Sequence, residues 1–284
     1  MSQHYDKGQG KRIFGFINTG ASAGAIFGPA MILLFRHRIN EENILLVTAG
    51  VLLLTLPLIA ILNREFAKKE GKVKRSRLSA NPFSGFQEFI THKRLVGIAA
   101  FIFLFTGASA FLYFAQKELL TDYSRADRKQ LLGSVELATN ILTIVIGMFA
   151  TNRIARRFGM PTTLSLVPFV ICSLLLLVSM NPAIMLVLAL QVVRRSGNYA
   201  ITRPAREILY TAVDREARFK TKPIIDVAVY CGGDVFWIWL ITLLGEGGLK
   251  LGLTPILCVG AAVTLIWGFV GVYLGRKHDL DDSE

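Results

Sequence analysis

The chain predicts an all-α, polytopic membrane protein of about eight transmembrane helices, and three observations carry that expectation. Hydrophobic residues make up 52% of the 284 positions and charged residues only 18%, with a mean hydropathy of +0.48, too apolar for a typical soluble domain of this size. Eight apolar stretches are long enough to cross a hydrocarbon core, which takes about 20 helical residues. Basic residues crowd into alternate connections between them. Lipid satisfies no backbone hydrogen bonds, so each stretch is expected to be a helix.

The first stretch, 13–35, contains GASAGAIFGP, where Gly20, Gly24 and Gly28 repeat every fourth residue. Small residues at that spacing predict close approach of another helix, and Pro29 predicts a bend. The second stretch, 44–63, leads into the longest polar connection, 64–93, which begins as a basic linker. After Asn81-Pro82, the residues Phe83, Phe86, Phe89 and Ile90 have helical spacing, compatible with a short surface helix or with a loop entering the next span. This linker divides the chain into a two-helix unit (1–63) and a six-helix unit (94–284).

The six later stretches are 95–116, 130–151, 160–180, 183–202, 224–245 and 252–275. Between the fourth and fifth spans, NRIARRFGMP (152–161) predicts a short basic turn, and 203–223 predicts a charged connection before the seventh span. With the amino terminus in the cytoplasm, 23 of the 32 Lys and Arg lie in cytoplasmic tails and connections. Seven lie on the other side, and Arg194 and Arg195 fall inside a span. That bias predicts insertion in the cell's inner (plasma) membrane with both termini cytoplasmic. The first twelve residues contain no apolar region, so no signal peptide is expected.

The net charge of +12 is assigned to membrane orientation, because no nucleic-acid recognition motif accompanies it. Cys172, Cys231 and Cys258 lack metal-ligand spacing, and the four histidines are scattered, so no metal, cofactor or disulfide site is expected. No catalytic signature of serine, histidine and acid residues occurs either, which argues against an enzyme. Asp226 and Asp234 lie about 12 Å apart along a helix, too far to share a reacting group.

Charged residues inside apolar spans point to a solute pathway, because each costs about 2.5–3.5 kcal/mol at the bilayer centre unless it meets a cavity or a partner. Arg195, Tyr199, Thr202 and Arg206 are spaced four, three and four apart, predicting one polar stripe from mid-membrane toward the cytoplasmic mouth. Arg194 and Asn198 lie beside it, and guanidinium groups suit phosphate or carboxylate. Pro204 is expected to bend or end the helix near Arg206 and Glu207. Asp226, Tyr230 and Asp234 form a second polar face, with Gly232 and Gly233 allowing close approach, and Glu136 and Asn140 offer a third. The alternative is that Arg194 or Arg195 pairs with Asp226, Asp234 or Glu136 purely to join helices.

The run RRSGNYAITRPAREILYTAVDREARFKTKPIIDVAVYCGGD, with NRIARRFG and the earlier glycine-spaced helix, resembles bacterial ATP/ADP translocase-type nucleotide transporters of the major facilitator superfamily. The resemblance covers most of the chain. It implies substrate-binding roles at Arg194, Arg195, Tyr199, Arg206, Glu207, Lys222, Asp226 and Asp234, to which the polar-face reading adds Asn198 and Glu136. Cys231 stands where the resemblance leads one to expect arginine. The resemblance further implies a partial major-facilitator bundle: residues 1–63 as a remnant of the amino-terminal half, and 94–284 as a complete second half. A homodimer or a helix-supplying partner would then complete the cavity. The expected function is transport of an anionic solute, nucleotide-like by resemblance, through alternating access in the lipid bilayer. A non-transporting membrane subunit or scaffold is the alternative.

Overall fold

A computed structural model describes residues 89–281, apart from 150, 212, 214 and 246, and before them only short pieces and single positions between 24 and 64. The predicted spans 13–35 and 44–63 therefore lie largely outside the described residues, as do Phe83, Phe86 and most of the linker. Every regular element among the described residues is helical.

The helices are α1 (Lys93–Leu120), α2 (Arg125–Phe149), α3 (Thr151–Met180), α4 (Ile184–Gly197), α5 (Arg203–Thr211), α6 (Arg215–Ile224), α7 (Tyr230–Leu244) and α8 (Leu253–Asp281). Among the described residues five segments are long and apolar enough to span a membrane: Lys93–Leu120, Arg125–Gly147, Gly159–Met180, Lys220–Leu244 and Leu253–Leu280. The predicted sixth span is α4 continued by a π-helical turn, Asn198–Thr202. The chain is a multi-pass bundle.

Local chemistry sets the ends. Ser124 caps α2: its Oγ accepts from the Asp127 N–H at 3.2 Å and donates to Asp127 Oδ2 at 2.6 Å. Arg128 ties the preceding turn by donating to the carbonyls of Thr121 (2.6 Å) and Tyr123 (2.8 Å). The basic turn predicted at 152–159 is mostly helix, and the chain breaks only at Gly159, with φ 74° and ψ 177°. That backbone region is open essentially to glycine alone. Gly159→Ala is expected to lower stability by about 1–3 kcal/mol. Thermal unfolding in detergent checks this against Gly232→Ala, where an added Cβ meets nothing within 4 Å.

The connection predicted at 203–223 is also largely helical, as α5 and α6. Prolines displace the backbone ladder here. Pro204 has no N–H to offer the carbonyl four residues back, and the chain passes that level in a π turn. Pro223 precedes a second π turn, Ile225–Val229. Both predicted polar segments thus contain wide turns instead of continuous α-helix.

The core lies where α8 packs along α3 and α1. Trp267 is fully buried, its ring 5.4 Å from Phe101 and 5.6 Å from Phe105. Glycine allows this proximity: a Cβ at Gly271 would stand 3.0 Å from the Leu164 carbonyl oxygen, and one at Gly275 only 2.4 Å from Pro161 Cα. Pro168 withholds the N–H that Leu164's carbonyl would otherwise accept, so the close approach of α8 falls where the α3 ladder is interrupted. Close packing was predicted at Gly20, Gly24 and Gly28; among the described residues a Cβ at Gly24 or Gly28 would meet nothing within 4 Å, and Gly20 lies outside them. Of the cysteines, only Cys172 is buried, its thiol donating to the Ala261 carbonyl at 3.3 Å.

A second apolar cluster joins α7 to α1 and α8 through Trp237, Phe111, Ile241 and Ile256. Trp237 donates its indole N–H to the Phe103 carbonyl at 2.8 Å, fixing the depth at which α7 sits beside α1.

Candidate functional site

The sixth-span segment QVVRRSGNYA places two arginines side by side on α4, about 100° apart around the helix axis, so they meet different neighbours. Arg194 turns inward and is only 6% exposed. Its Nε donates to Gln191 Oε1 at 3.0 Å, its Nη1 donates to Ser109 Oγ at 2.5 Å, and its guanidinium lies 5.9 Å from the Phe105 ring centroid. Gln191 in turn donates to Gln116 Oε1 at 2.8 Å. All these partners are neutral, and among the described residues no carboxylate pairs with Arg194.

Arg195 turns the other way and forms a two-pronged ion pair with Glu136 of α2, with Nη2 to Oε1 at 2.9 Å. One turn further along α2, Asn140 donates to the Ala25 carbonyl at 2.5 Å, linking this face to the first predicted span. The alternative of a helix-joining pair therefore describes Arg195 and Glu136 well, with Asn140 continuing the same face.

A cavity of about 770 Å³ opens beside Arg194. Ser109, Tyr113 and Lys117 line it from α1, and Tyr230 and Asp234 from α7. The α1 residues repeat every fourth position, a polar stripe about 12 Å long at ~1.5 Å per residue. The lining also includes Ile238 and Ile241 of α7 and Leu253 of α8.

The remaining predicted residues gather beyond the π turns. Lys222 Nζ bonds Glu207 Oε2 at 2.6 Å and lies 5.4 Å from the Tyr210 ring centroid. Arg206 approaches Asp226 at 3.9 Å. Burial raises the Tyr210 phenol above its ordinary range, with Asp226 adding to the shift, so Tyr210 remains neutral. These contacts tie α5 to α6 and the π turn that follows it.

The four-residue stripe predicted through Arg195, Tyr199, Thr202 and Arg206 does not share one face. Tyr199 is 46% exposed, whereas Thr202 is 2% exposed. The wide turn at 198–202 changes the rotation per residue, which an α-helical count does not anticipate. Asn198 is half-buried at the start of that turn. The structure thus brings Arg194 and Asp234 to the cavity, places Arg195 with Glu136, and groups Arg206, Glu207, Lys222 and Asp226 separately.

Ser109, Tyr113, Gln116, Lys117 and Gln191 escaped the sequence reading. Their signal was present: Ser109, Tyr113, Gln116 and Lys117 are polar groups inside the apolar stretch 95–116 or just beyond it, and Gln191 is one turn before the two arginines in 183–202. Each is uncharged or near a span end, so none carries the intramembrane penalty that singles out an arginine.

The sequence profile described as Major Facilitator Superfamily matches residues 1–205. Among solved structures, the chain is similar to the crystal structure of a bacterial homolog to human lysosomal transporter, Spinster, in an inward-facing and unoccupied conformation. That similarity has a TM-score of 0.56 and 14% identity, covering 96% of this chain and 72% of the other, and it bears on fold alone. No curated protein matches. With a family match across most of its length and a helical bundle similar to that transporter structure, the chain belongs to the major facilitator superfamily of membrane transport proteins.

Proposed function

We propose that this protein transports a solute through an anionic group received by Arg194, with alternating access exposing the cavity to each side of the membrane. The observation that carries the reading is a buried intramembrane cation, hydrogen-bonded among the described residues to neutral side chains and placed on a cavity. A buried charge without an opposite partner is costly, and a ligand anion supplies what the fold leaves out. The resemblance of the Arg194–Asp234 segment to ATP/ADP translocases makes a nucleotide-like solute the first candidate. The basic bias of alternate connections supports an inner-membrane location with both termini cytoplasmic.

In this reading residues 94–284 act as a six-helix transport unit, 1–63 as a two-helix unit, and 64–93 as the basic linker between them. A second copy or a helix-supplying partner would provide further cavity walls. The pairs Arg206–Asp226 and Lys222–Glu207 serve as contacts that rearrange as α5 and α6 move, the differential interactions that bias one conformation over another. Because Arg195 is satisfied by Glu136, a second reading is that this membrane protein is a scaffold whose charges join helices.

A ligand-dependent thermal shift on detergent-purified protein separates the two. ATP, ADP or inorganic phosphate is expected to raise the unfolding temperature with concentration, while an unphosphorylated nucleoside does not. Reconstituted flux of the stabilising anion would support transport. Absence of any anion-dependent shift or flux, with copurification of a partner protein, would favour the scaffold.

A further inference from the structure

We infer that the solute held at Arg194 is a zwitterion with an apolar body, its anionic group on Arg194 and its cationic group on Asp234. The inference rests on the proposal that Arg194 receives an anionic group, and it replaces the nucleotide-like candidate with a solute that carries one charge of each sign and an apolar body.

The cavity is close to electroneutral. Its lining carries two cations, Arg194 and Lys117, and two carboxylates, Asp234 and Glu118. A polyphosphate would bring several negative charges toward Arg194 and meet Asp234 on the adjoining wall, and like charges brought together in a desolvated site are strongly disfavoured. A ligand with one charge of each sign meets no such repulsion.

The packing of α7 against α1 sets where Asp234 stands. Tyr230, one turn before Asp234, has its ring 6.2 Å from Phe105, the same residue that lies under the Arg194 guanidinium. Gly233 lets α7 approach Thr106 so closely that a Cβ would stand 2.5 Å from its hydroxyl oxygen. One turn after Gly233, the Trp237 indole anchors to the Phe103 carbonyl at 2.8 Å. Asp234 is thereby fixed at the depth of Arg194's own neighbours, Phe105 and Ser109.

Yet the two charges form no salt bridge with each other. Opposite charges in contact would satisfy one another and need no ligand. Carried on α4 and α7, more than 4 Å apart and both lining the cavity, they can meet the two ends of one small molecule. The same lining also carries the apolar side chains of Ala110, Phe114, Ile238, Ile241, Leu251 and Leu253, a surface for a hydrocarbon or aromatic portion. A volume of about 770 Å³ falls within the range of small-molecule sites, roughly 300–1,000 Å³. The chemistry described is that of an amino-carboxylate with a large apolar side group.

The test measures equilibrium binding to the purified full chain of four probes: L-phenylalanine, 3-phenylpropanoate, phenethylamine and ATP. The zwitterion is expected to bind at least about ten-fold tighter than either singly charged analogue and tighter than ATP, because it alone makes a charge-assisted hydrogen bond at each end. Asp234→Asn is expected to remove that advantage over 3-phenylpropanoate while leaving the carboxylate's own affinity in place. If ATP or 3-phenylpropanoate binds tighter than the zwitterion and the binding depends on Arg194, the inference is overturned and the anion-transport proposal stands. If no probe shows Arg194-dependent binding, both fall.

Discussion

Arg194→Met is expected to abolish solute binding while leaving the protein as stable as the wild type, or more so. Methionine fills a similar length with no charge. On the binding side, removing one partner of a buried, hydrogen-bonded charge pair costs about 2–5 kcal/mol, or roughly 30-fold to several thousand-fold in affinity. On the folding side the sign reverses. Arg194 is 6% exposed, bonded to Ser109 and Gln191, and has no carboxylate partner among the described residues. Replacing buried ionic groups with well-packed apolar residues is often neutral or stabilising. The Phe105 ring beneath the guanidinium offers the thioether a favourable contact. Parallel measurements of ligand affinity and of unfolding temperature without ligand check both halves. A large fall in unfolding temperature with affinity retained would assign Arg194 to the fold instead of the solute. Arg195→Met is the informative companion: it strands Glu136 without its ion-pair partner, so it is expected to lower stability.

Gly275→Leu is expected to have a large structural effect, a loss on the order of 3–5 kcal/mol. A Cβ at Gly275 would lie 2.4 Å from both Cα and N of Pro161 and 2.7 Å from the Met160 carbonyl carbon. These are backbone atoms, just after the break at Gly159, and they cannot rotate aside as a side chain can. Only separation of α8 from α3 would relieve the overlap, and that interface carries Trp267, Leu164 and Ile171 of the main core. Gly97→Ala is the control, because its nearest atom is the Leu274 Cδ2 methyl at 2.6 Å, the far end of a flexible side chain. It is expected to cost far less. Thermal or denaturant unfolding in detergent ranks the two, and equal stabilities would show that α8 tolerates displacement.

Much of the fold was legible because the bilayer restricts the choices. The stretches 95–116, 130–151, 160–180 and 252–275 each correspond to a long observed helix, since apolar length alone forces helical backbone. The connections were harder to read. Residues 203–223 are highly charged, and charge predicts exposure without excluding helix; Arg, Lys and Glu are good helix formers, so α5 and α6 are helical. The candidate site was legible to the level of the segment. Arg194 and Asp234 stood out because intramembrane charge is rare, while Ser109, Gln116 and Gln191 did not, because neutral polar groups in apolar stretches are common and cost little.

The sequence by itself determined that the chain crosses a membrane repeatedly as helices, on which side its basic connections are expected, and that intramembrane charges fall in the predicted sixth and seventh spans. Composition and length suffice for that, since the hydrophobic and positive-inside effects depend on residue type and order alone. Only the tertiary structure decided which of two adjacent arginines faces Glu136 and which faces the cavity. It likewise decided that wide turns at 198–202 and 225–229 interrupt the predicted stripes, and that Gly271 and Gly275 of the last helix bring it against the backbone of α3. The physical reason is azimuth. Neighbours on a helix differ by about 100° in direction, and the direction that meets a partner depends on how helices distant in sequence pack together.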